Sequence, residues 1–231
     1  MEFSHRSVLL WECIEALNIR PDGVYLDGTL GGAGHSLEIC RNLTTGRLIG
    51  VDRDETALAA AGERLAEAAT KRLQSHLGKV TLVHDNFENI ASILERLGLD
   101  GVDGILLDLG VSSPQLDDGA RGFSYMADAP LDMRMDRGQA LTAYDVVNNW
   151  PRAELKKILF EYGEERYAPQ IAAAIDRVRQ DHPIETTLEL VDVIRGAMPD
   201  KALREKQHPA KRSFQAIRIA VNDELGAVSR V

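Results

Sequence analysis

The sequence predicts an α/β fold in which a parallel sheet is followed by an inserted helical domain. Two observations lead to this prediction. Short apolar runs alternate with helical patterns through the first half of the chain, and the region 142–198 shows only helical periodicity. Alternating strands and helices are typical of a parallel sheet with helices on both faces.

Four apolar runs are the predicted strands, at residues 24–27, 48–52, 80–84 and 104–108. A helix is predicted after the second strand, where Asp54 can cap its first turn. Another is predicted after the third strand, where Asn86 can cap the helix and Gly98 can end it.

A long loop is predicted over residues 109–138, because Gly and Pro recur there without sustained periodicity. A loop of this length in a compact protein is usually functional. Helices follow it. Pro151 opens one of them, and Thr186 with Glu189 forms a capping box for another.

The last predicted helix begins at about Pro209 and continues through Leu225. We assign it to the sheet domain. The expected sheet domain therefore comprises residues 1–110 and 209–231, and residues 111–208 form the loop and the helical insertion.

A Gly-rich turn at residues 28–34 follows the first predicted strand. Such a turn between a strand and a helix brings a ligand against bare backbone. Asp52 ends the second strand about 20 residues after the turn, where related folds place a carboxylate on a ribose hydroxyl pair. Together they predict an adenosine-type cofactor, whereas the turn alone is also compatible with a plain tight turn.

The turn disfavours a dinucleotide, because Leu37 stands where the Gly-x-Gly-x-x-Gly fingerprint requires its third Gly. The turn contains no Lys and follows Asp27, which also argues against a phosphate cradle. A nucleoside cofactor without phosphates remains, and S-adenosylmethionine is the common one. The alternative is an NAD-dependent oxidoreductase, which would share the strand, the turn and Asp52.

The composition is that of an ordinary globular protein with a formal net charge of −9. No run approaches the roughly 20 apolar residues that cross a bilayer, and the N-terminus lacks the apolar segment of a secretory signal. We therefore expect a cytoplasmic protein that does not associate with membranes. Cys13 and Cys40 are expected to be free thiols, and no metal site is expected because the His residues lack ligand spacing.

One segment near the C-terminus opposes the negative charge of the chain. Between residues 201 and 218 a single acid accompanies six basic residues, namely Lys201, Arg204, Lys206, Lys211, Arg212 and Arg218. The net charge argues against indiscriminate coating of nucleic acid, but this segment is a candidate local RNA site. The alternative is a solvated helix face. A non-catalytic RNA-binding or assembly factor would also carry such a segment.

Polar residues follow the fourth predicted strand, at the carboxyl edge where open parallel sheets bind ligands. Asp108 and Gln115 are therefore candidate site residues, and a turn cap is the alternative role for Asp108. Several blocks of the chain carry recognisable motifs: DGT at 27–29, GHS at 34–36, LLDLGVSSPQLD at 106–117, RGFS at 121–124, PLDMRMD at 130–136, YGEER at 162–166, HPA at 208–210 and FQA at 214–216. In this order the blocks resemble the ribosomal RNA small subunit methyltransferase H family, over almost the whole chain.

The resemblance implies a class I S-adenosylmethionine-dependent methyltransferase with a Rossmann-like sheet. It also implies methylation of the exocyclic N4 of a cytidine in the decoding region of 16S ribosomal RNA, with the small ribosomal subunit as partner. The matched motifs imply Ala33, Gly34 and His35 at the methionine end of the cofactor, Asp52 at its ribose, Phe87 and Asp108 at its adenine, and Gln115 at the edge facing the substrate. The helical insertion is then the RNA-recognition part, and the basic segment supplies Lys206, Lys211, Arg212 and Arg218 as RNA-binding residues.

A cytosine amino group is a poor nucleophile, because its lone pair is delocalised into the ring. Catalysis is therefore expected to consist of positioning and of acceptors for the N–H bonds, for which Ser112, Ser113 and Asp108 are the candidates. The target base must be splayed out to be reached. Phe123 and Tyr125 are the nearest aromatic residues that can stack on it, and loop packing is the alternative role for both.

The resembled family continues past the last helix with further strands, whereas this chain shows four strand signals before Val231. We therefore expect the C-terminal strands to be missing and the fourth strand to form an open edge. Unpaired strand edges invite self-association, so a homodimer is a candidate state.

Overall fold

The computed structural model describes residues 7–71 and 78–231. Two compact units make up the structure. The first comprises the chain up to Pro114 together with Ala227–Val231, and the second comprises Gln115–Gly226. The first unit contains a parallel sheet, whereas the second consists of helices, loops and one isolated bridge between Pro130 and Thr186. The predicted α/β fold is confirmed.

The sheet of the first unit has the strand order β3-β2-β1-β4, with every pair parallel. The strands are β1 (Val24–Asp27), β2 (Arg47–Asp52), β3 (Lys79–His84) and β4 (Gly104–Leu106). All four predicted strands are confirmed, and β4 ends two residues before Asp108. The last residue of β1, Asp27, lies beside Gly50 of β2 and Leu106 of β4. The ends of these three strands therefore meet at one edge of the sheet.

Helices pack on both faces of this sheet. They are α1 (Leu10–Leu17), α2 (Gly34–Asn42), α3 (Glu55–Lys71) and α4 (Ile90–Arg96), the last preceded by a 3-10 turn at Phe87–Asn89. On one face Tyr25 and Leu48 are buried with side chains of α1, α2 and α3. On the other face Leu26 and Ile49 are buried with Ile93 of α4. This alternation along each strand is why the strands read as continuous apolar runs.

The predicted helix boundaries in this unit rest on local hydrogen bonds. Asp54 caps α3 by accepting the Thr56 amide at 3.0 Å. Asn86 accepts the Glu88 amide at 3.3 Å before α4, and Gly98 follows α4 with a φ of +67°. The cap at Asp54 and the stop at Gly98 are therefore confirmed. Asn86 instead caps the 3-10 turn Phe87–Asn89, and the N-cap of α4 is Asn89, which makes no side-chain cap bond.

The helices after β4 are α5 (Ser113–Asp117), α6 (Ala143–Asn149), α7 (Arg152–Glu161), α8 (Ala168–Val178), α9 (Thr187–Ala197), α10 (Asp200–Leu203), α11 (Lys211–Asn222) and α12 (Glu224–Arg230), with a 3-10 turn at Gly119–Arg121. The capping box of Thr186 and Glu189 at α9 is confirmed. The prediction of one helix from Pro209 through Leu225 is wrong, because Asp223 adopts a left-handed φ of 47° and ends α11. Leu225 is consequently exposed.

Helix α11 lies in the second unit, whereas the sequence assigned residues 209–231 to the sheet domain. It packs against α6 and α7, and its residues Phe214 and Ile217 are buried. Its apolar face is therefore covered by helices of residues 115–226. The expected domain ranges differ from the two units chiefly for this reason.

The long loop after α5 is organised by side chains that bind backbone. The buried guanidinium of Arg121 donates to the carbonyls of Arg134 and Met135 at 2.8 and 3.1 Å. Asn222 of α11 accepts the Met135 amide and donates to the Met133 carbonyl, both at 2.8 Å. These contacts satisfy the hydrogen-bonding needs of backbone groups that lie outside helices and strands. The loop therefore holds a defined conformation.

Within the two described stretches, no helix is both long enough and apolar enough to cross a membrane.

Candidate cofactor site and nucleic-acid surface

The turn between β1 and α2 forms the first part of the site. Gly31 has a φ of +47°, and Ala33 at the N-cap of α2 has a φ of 56°. The left-handed region is costly for a residue with a Cβ, by about 1–2 kcal/mol. A Cβ at Gly28 would lie 2.5 Å from Leu107, so this position must also be bare. The turn therefore presents backbone rather than side chains.

Asp27 fixes this turn from beneath. Its side chain is 1% exposed, accepts the Ser36 hydroxyl at 2.6 Å and accepts the Thr29 amide at 3.1 Å. Burial raises the pKa of Asp27, and the Ser36 hydrogen bond opposes that rise. In the sequence, Asp27 served only as an argument that the turn does not bind phosphate. The structure makes it a residue that ties the turn to α2.

Asp52 lies beside the same turn, at the end of β2. One carboxylate oxygen accepts the Gly31 amide at 2.8 Å, and the other accepts the Asp54 amide at 2.9 Å. Burial raises the pKa of Asp52, and these two backbone bonds oppose the rise. Each oxygen keeps acceptor capacity beyond its one amide. The carboxylate can therefore accept a pair of hydroxyl groups while it holds the turn.

Asp108 and His35 lie on the other side of the turn. The Asp108 amide donates to the Thr29 hydroxyl at 2.6 Å, and the Asp108 side chain is 48% exposed. His35 is buried, with Nδ1 3.8 Å from an Asp108 carboxylate oxygen and Nε2 3.1 Å from the Val8 carbonyl. Because a carbonyl only accepts, Nε2 carries the proton of that bond. His35 thereby links the start of α2 to Val8, and its other ring nitrogen faces Asp108 without a hydrogen bond.

Phe87 and Ser112 complete the group of predicted residues around the turn. A Cβ at Gly28 would lie 3.0 Å from the Phe87 Cβ, and a Cβ at Gly31 would lie 3.4 Å from the Ser112 Cβ. The side chain of Ser113 lies outside the described residues. Gln115 belongs to the second unit and is buried there.

The geometry suits an uncharged or cationic nucleoside better than a diphosphate. Asp52 and Asp108 supply carboxylates, and bare backbone is presented at Gly31. Phe87 is partly buried against the core that contains Ile49 and Val51. Carboxylates accept hydroxyl hydrogen bonds and attract a cationic ligand, but they repel phosphate. Over residues 7–71 and 78–231, no group of three or more His, Cys, Asp and Glu residues is arranged to hold a metal ion.

The predicted RNA-binding residues lie in the second unit and differ in their surroundings. Lys206 and Lys211 are exposed. Arg212 donates to the Glu164 carbonyl at 3.0 Å. Arg218 forms a bidentate ion pair with Glu224, at 2.8 and 3.0 Å, and both side chains are largely buried. Because α11 ends at Asp223, Glu224 lies next to Arg218. The periodicity of the sequence did not predict this ion pair.

The two predicted aromatic residues also differ. Phe123 is 6% exposed, and the Arg121 guanidinium carbon lies 5.6 Å from its ring centroid. It therefore packs within the loop. Tyr125 is part-exposed and stacks on His208, with ring centroids 4.5 Å apart and planes inclined by 14°. His208 was not a predicted site residue. It lies far from Tyr125 along the chain, so no local sequence pattern predicts that the two rings stack.

Comparison with known proteins agrees with this geometry. The sequence profile of the MraW methylase family matches residues 2–231. The chain belongs to the MraW methylase family. It is therefore a methyltransferase, and the expected class I methyltransferase fold agrees with the observed sheet.

Several relatives of this MraW-family chain carry the name ribosomal RNA small subunit methyltransferase H. The protein of Exiguobacterium sibiricum is 56% identical over 228 residues, which are 99% of this chain and 70% of that protein. That of Symbiobacterium thermophilum is 55% identical over 231 residues, or 100% and 70% of the two chains. That of Clostridioides difficile is 56% identical over 232 residues, or 100% and 72%. The resemblance stated from the motifs is confirmed.

Proposed function

We propose that this protein transfers a methyl group from S-adenosylmethionine to the N4 amino group of a cytidine in the decoding region of 16S ribosomal RNA. The observation that carries the cofactor part is the 2.8 Å hydrogen bond from the Gly31 amide to Asp52, which joins the Gly-rich turn to the expected ribose carboxylate. The names of the relatives support ribosomal RNA of the small subunit as substrate. The position and the atom methylated come from the motif resemblance.

The residues around the turn fit the cofactor, and each has a proposed contact. Ala33, Gly34 and His35 hold its methionine end at the start of α2, Asp52 its ribose, and Phe87 and Asp108 its adenine. The first residues of a helix offer unpaired amides and a positive dipole end, which suit the methionine carboxylate. When bound, S-adenosylmethionine supplies an electrophilic methyl group.

The catalytic role of the chain is to position the cytosine amino group and to accept hydrogen bonds from its N–H groups. Asp108, Ser112 and Ser113 are the proposed acceptors, and Gln115 is proposed on its motif alone to face the substrate. Asp108 is proposed both to contact the adenine and to accept a hydrogen bond from the cytosine amino group. The variant Asp108→Asn distinguishes these two roles. An adenine contact predicts weaker binding of S-adenosylhomocysteine, whereas an acceptor for the amino group predicts a lower kcat at unchanged affinity.

We propose that the second unit, with its basic segment, holds the RNA. Lys206 and Lys211 are the strongest candidates because both are exposed. Arg212 remains a candidate beside them, whereas Arg218 has its guanidinium committed to Glu224. Phosphate contacts release counterions, so each one lost flattens the salt dependence of binding by about 0.7 in log–log slope for single strands.

The RNA assignment is tested with Lys206→Glu, Lys211→Glu and a matched control. Lys156→Glu, Lys157→Glu makes the same charge change on exposed residues of α7 in the same unit. Binding of a single-stranded oligoribonucleotide is measured over a range of salt concentrations. We expect weaker binding and a flatter slope for the first variant, and a smaller effect for the control. Equal effects of the two variants would reduce the basic segment to a solvated face.

The reaction itself is tested by incubating the protein with small ribosomal subunits and methyl-labelled S-adenosylmethionine. Nucleosides released from the RNA are then identified by mass spectrometry. The expected product is N4-methylated cytidine from the decoding region. Methylation of another atom or nucleotide would overturn the proposed specificity. Tighter binding of NAD than of S-adenosylhomocysteine would overturn the assignment of S-adenosylmethionine as cofactor.

A further inference from the structure

Tyr125 and His208 form a stacked aromatic pair in the second unit. Their ring centroids are 4.5 Å apart and the planes are inclined by 14°. Tyr125 also meets the ring of Phe214 edge to face, at 5.8 Å and 87°. Phe214 is 3% exposed, so a buried residue of α11 supports the pair from within.

Hydrogen bonding fixes the orientation and the protonation of the His208 ring. Its Nδ1 accepts the Ala210 amide at 3.3 Å, so in the neutral ring Nε2 carries the proton. Burial lowers the pKa of His208, and the positive charge of Arg195 lowers it further. The lowered pKa favours the neutral ring. A fixed, neutral aromatic pair loses little conformational entropy when a third ring joins the stack.

The pair combines open ring surface with neighbouring positive charge. Tyr125 and His208 are both part-exposed residues. Lys206 and Lys211 stand two and three residues from His208 in the chain, and both are exposed. Aromatic side chains beside cations are the pattern that proteins use for unpaired nucleotides, because the ring stacks on a base and the cations contact its phosphates.

We propose that the Tyr125–His208 pair is a stacking platform for an unpaired base of the RNA substrate. The proposal rests on the proposed function, since it names the part of the second unit that contacts a base rather than phosphate. Phe123 does not share this role, because it is buried within the loop. Loop packing alone is the competing account of the pair.

The test uses the full chain and a short single-stranded oligoribonucleotide that carries one 2-aminopurine, whose fluorescence is quenched by stacking. Tyr125→Leu and His208→Gln each remove one ring, whereas Tyr125→Phe keeps the stack. Phe160→Leu is the matched control, since Phe160 is a 66% exposed aromatic residue of α7 in the same unit. Binding of S-adenosylhomocysteine and the thermal unfolding temperature are measured for every variant.

Loss of a stacked base weakens binding by about 5- to 150-fold. We expect that loss, with reduced quenching, for Tyr125→Leu and for His208→Gln, and wild-type behaviour for Tyr125→Phe and Phe160→Leu. Affinity for S-adenosylhomocysteine should be unchanged throughout. If Tyr125→Leu does not fold, His208→Gln carries the same test, because it removes the other ring of the pair.

Unchanged RNA affinity in the folded ring-removing variants would overturn the platform. If RNA binding still fell in Lys206→Glu, Lys211→Glu, the proposed function would stand without it. Absence of both RNA binding and methyl transfer in the wild-type protein would overturn the two proposals together.

Discussion

Replacing Ser36 with Ala tests whether the buried carboxylate of Asp27 stabilises the Gly-rich turn. The Ser36 hydroxyl is fully buried and donates to Asp27 at 2.6 Å. The variant leaves Asp27 with the hydrogen bond from the Thr29 amide, at 3.1 Å. A hydrogen bond to a charged acceptor contributes about 1.5–3 kcal/mol, against about 0.5–1.5 kcal/mol for a neutral one. We expect the free energy of unfolding to fall by about 1.5–3 kcal/mol where Asp27 is ionised.

The pH dependence of this loss has a definite sign. Burial raises the pKa of Asp27 above its ordinary value of 3.8, so ionisation of Asp27 destabilises the folded state as the pH rises through the folded pKa. Ser36→Ala removes an interaction that favours the ionised form, which raises that pKa further. The difference between the variant and the wild type is therefore largest at pH above the folded pKa and shrinks below it.

Differential scanning calorimetry at several pH values measures this effect. At about 2–4 °C per kcal/mol, the expected loss lowers the unfolding temperature by about 3–12 °C. Ser213→Ala is the matched control, because Ser213 is equally buried in a helix and its hydroxyl has no hydrogen-bond partner within the described residues. That variant should be neutral or slightly stabilised. Equal losses in the two variants, or a loss independent of pH, would refute the role assigned to Asp27.

Three further predictions concern the first unit. Asp52→Asn should weaken binding of S-adenosylhomocysteine at least tenfold by isothermal titration, since its carboxylate is proposed to hold two ribose hydroxyls, and unchanged affinity would remove Asp52 from the site. Cys40 is fully buried, and burial raises its pKa to about 12, so only about 10⁻⁴ of it is thiolate at pH 8. A thiol reagent should therefore modify part-exposed Cys13 first and reach Cys40 only on unfolding, and rapid reaction of both thiols would contradict this packing. Ile105 is 45% exposed on the edge strand β4 and lines a groove of about 610 Å³. Because unpaired strand edges invite self-association, light scattering should show association of the wild-type protein, and Ile105→Lys should reduce it. A monodisperse wild-type monomer would show that this edge is not a contact.

Local patterns in the sequence were sufficient for much of the first unit. Strands β1 and β2 were visible as apolar runs because they are buried on both faces. Strands β3 and β4 were visible from the same apolar character, although Leu82 and Ile105 are exposed. Helix ends were visible at Asp54 and Thr186, because a cap acts on amides two or three residues away. The start of α1 was not predicted, since its N-cap, Leu9, is left-handed and makes no side-chain cap bond.

The sequence also indicated the proposed cofactor residues, but not the contacts that hold them together. The spacing between the turn and Asp52 follows from one strand–helix–strand unit, so it is encoded locally. The burial of Asp27 against Ser36 depends on how α2 packs on the sheet. Periodicity shows which face of α2 is apolar, but it does not show which polar group that face covers.

The sequence by itself determined the order of strands and helices, the Gly-rich turn and the family, because these depend on residues close together in the chain. Only the tertiary structure decided that Tyr125 stacks on His208 and that Asn222 holds the loop at Met135. It also decided that Arg218 is committed to Glu224. Such contacts depend on side-chain direction and burial after the helices have packed. Both are set by the whole fold, so no local pattern records them.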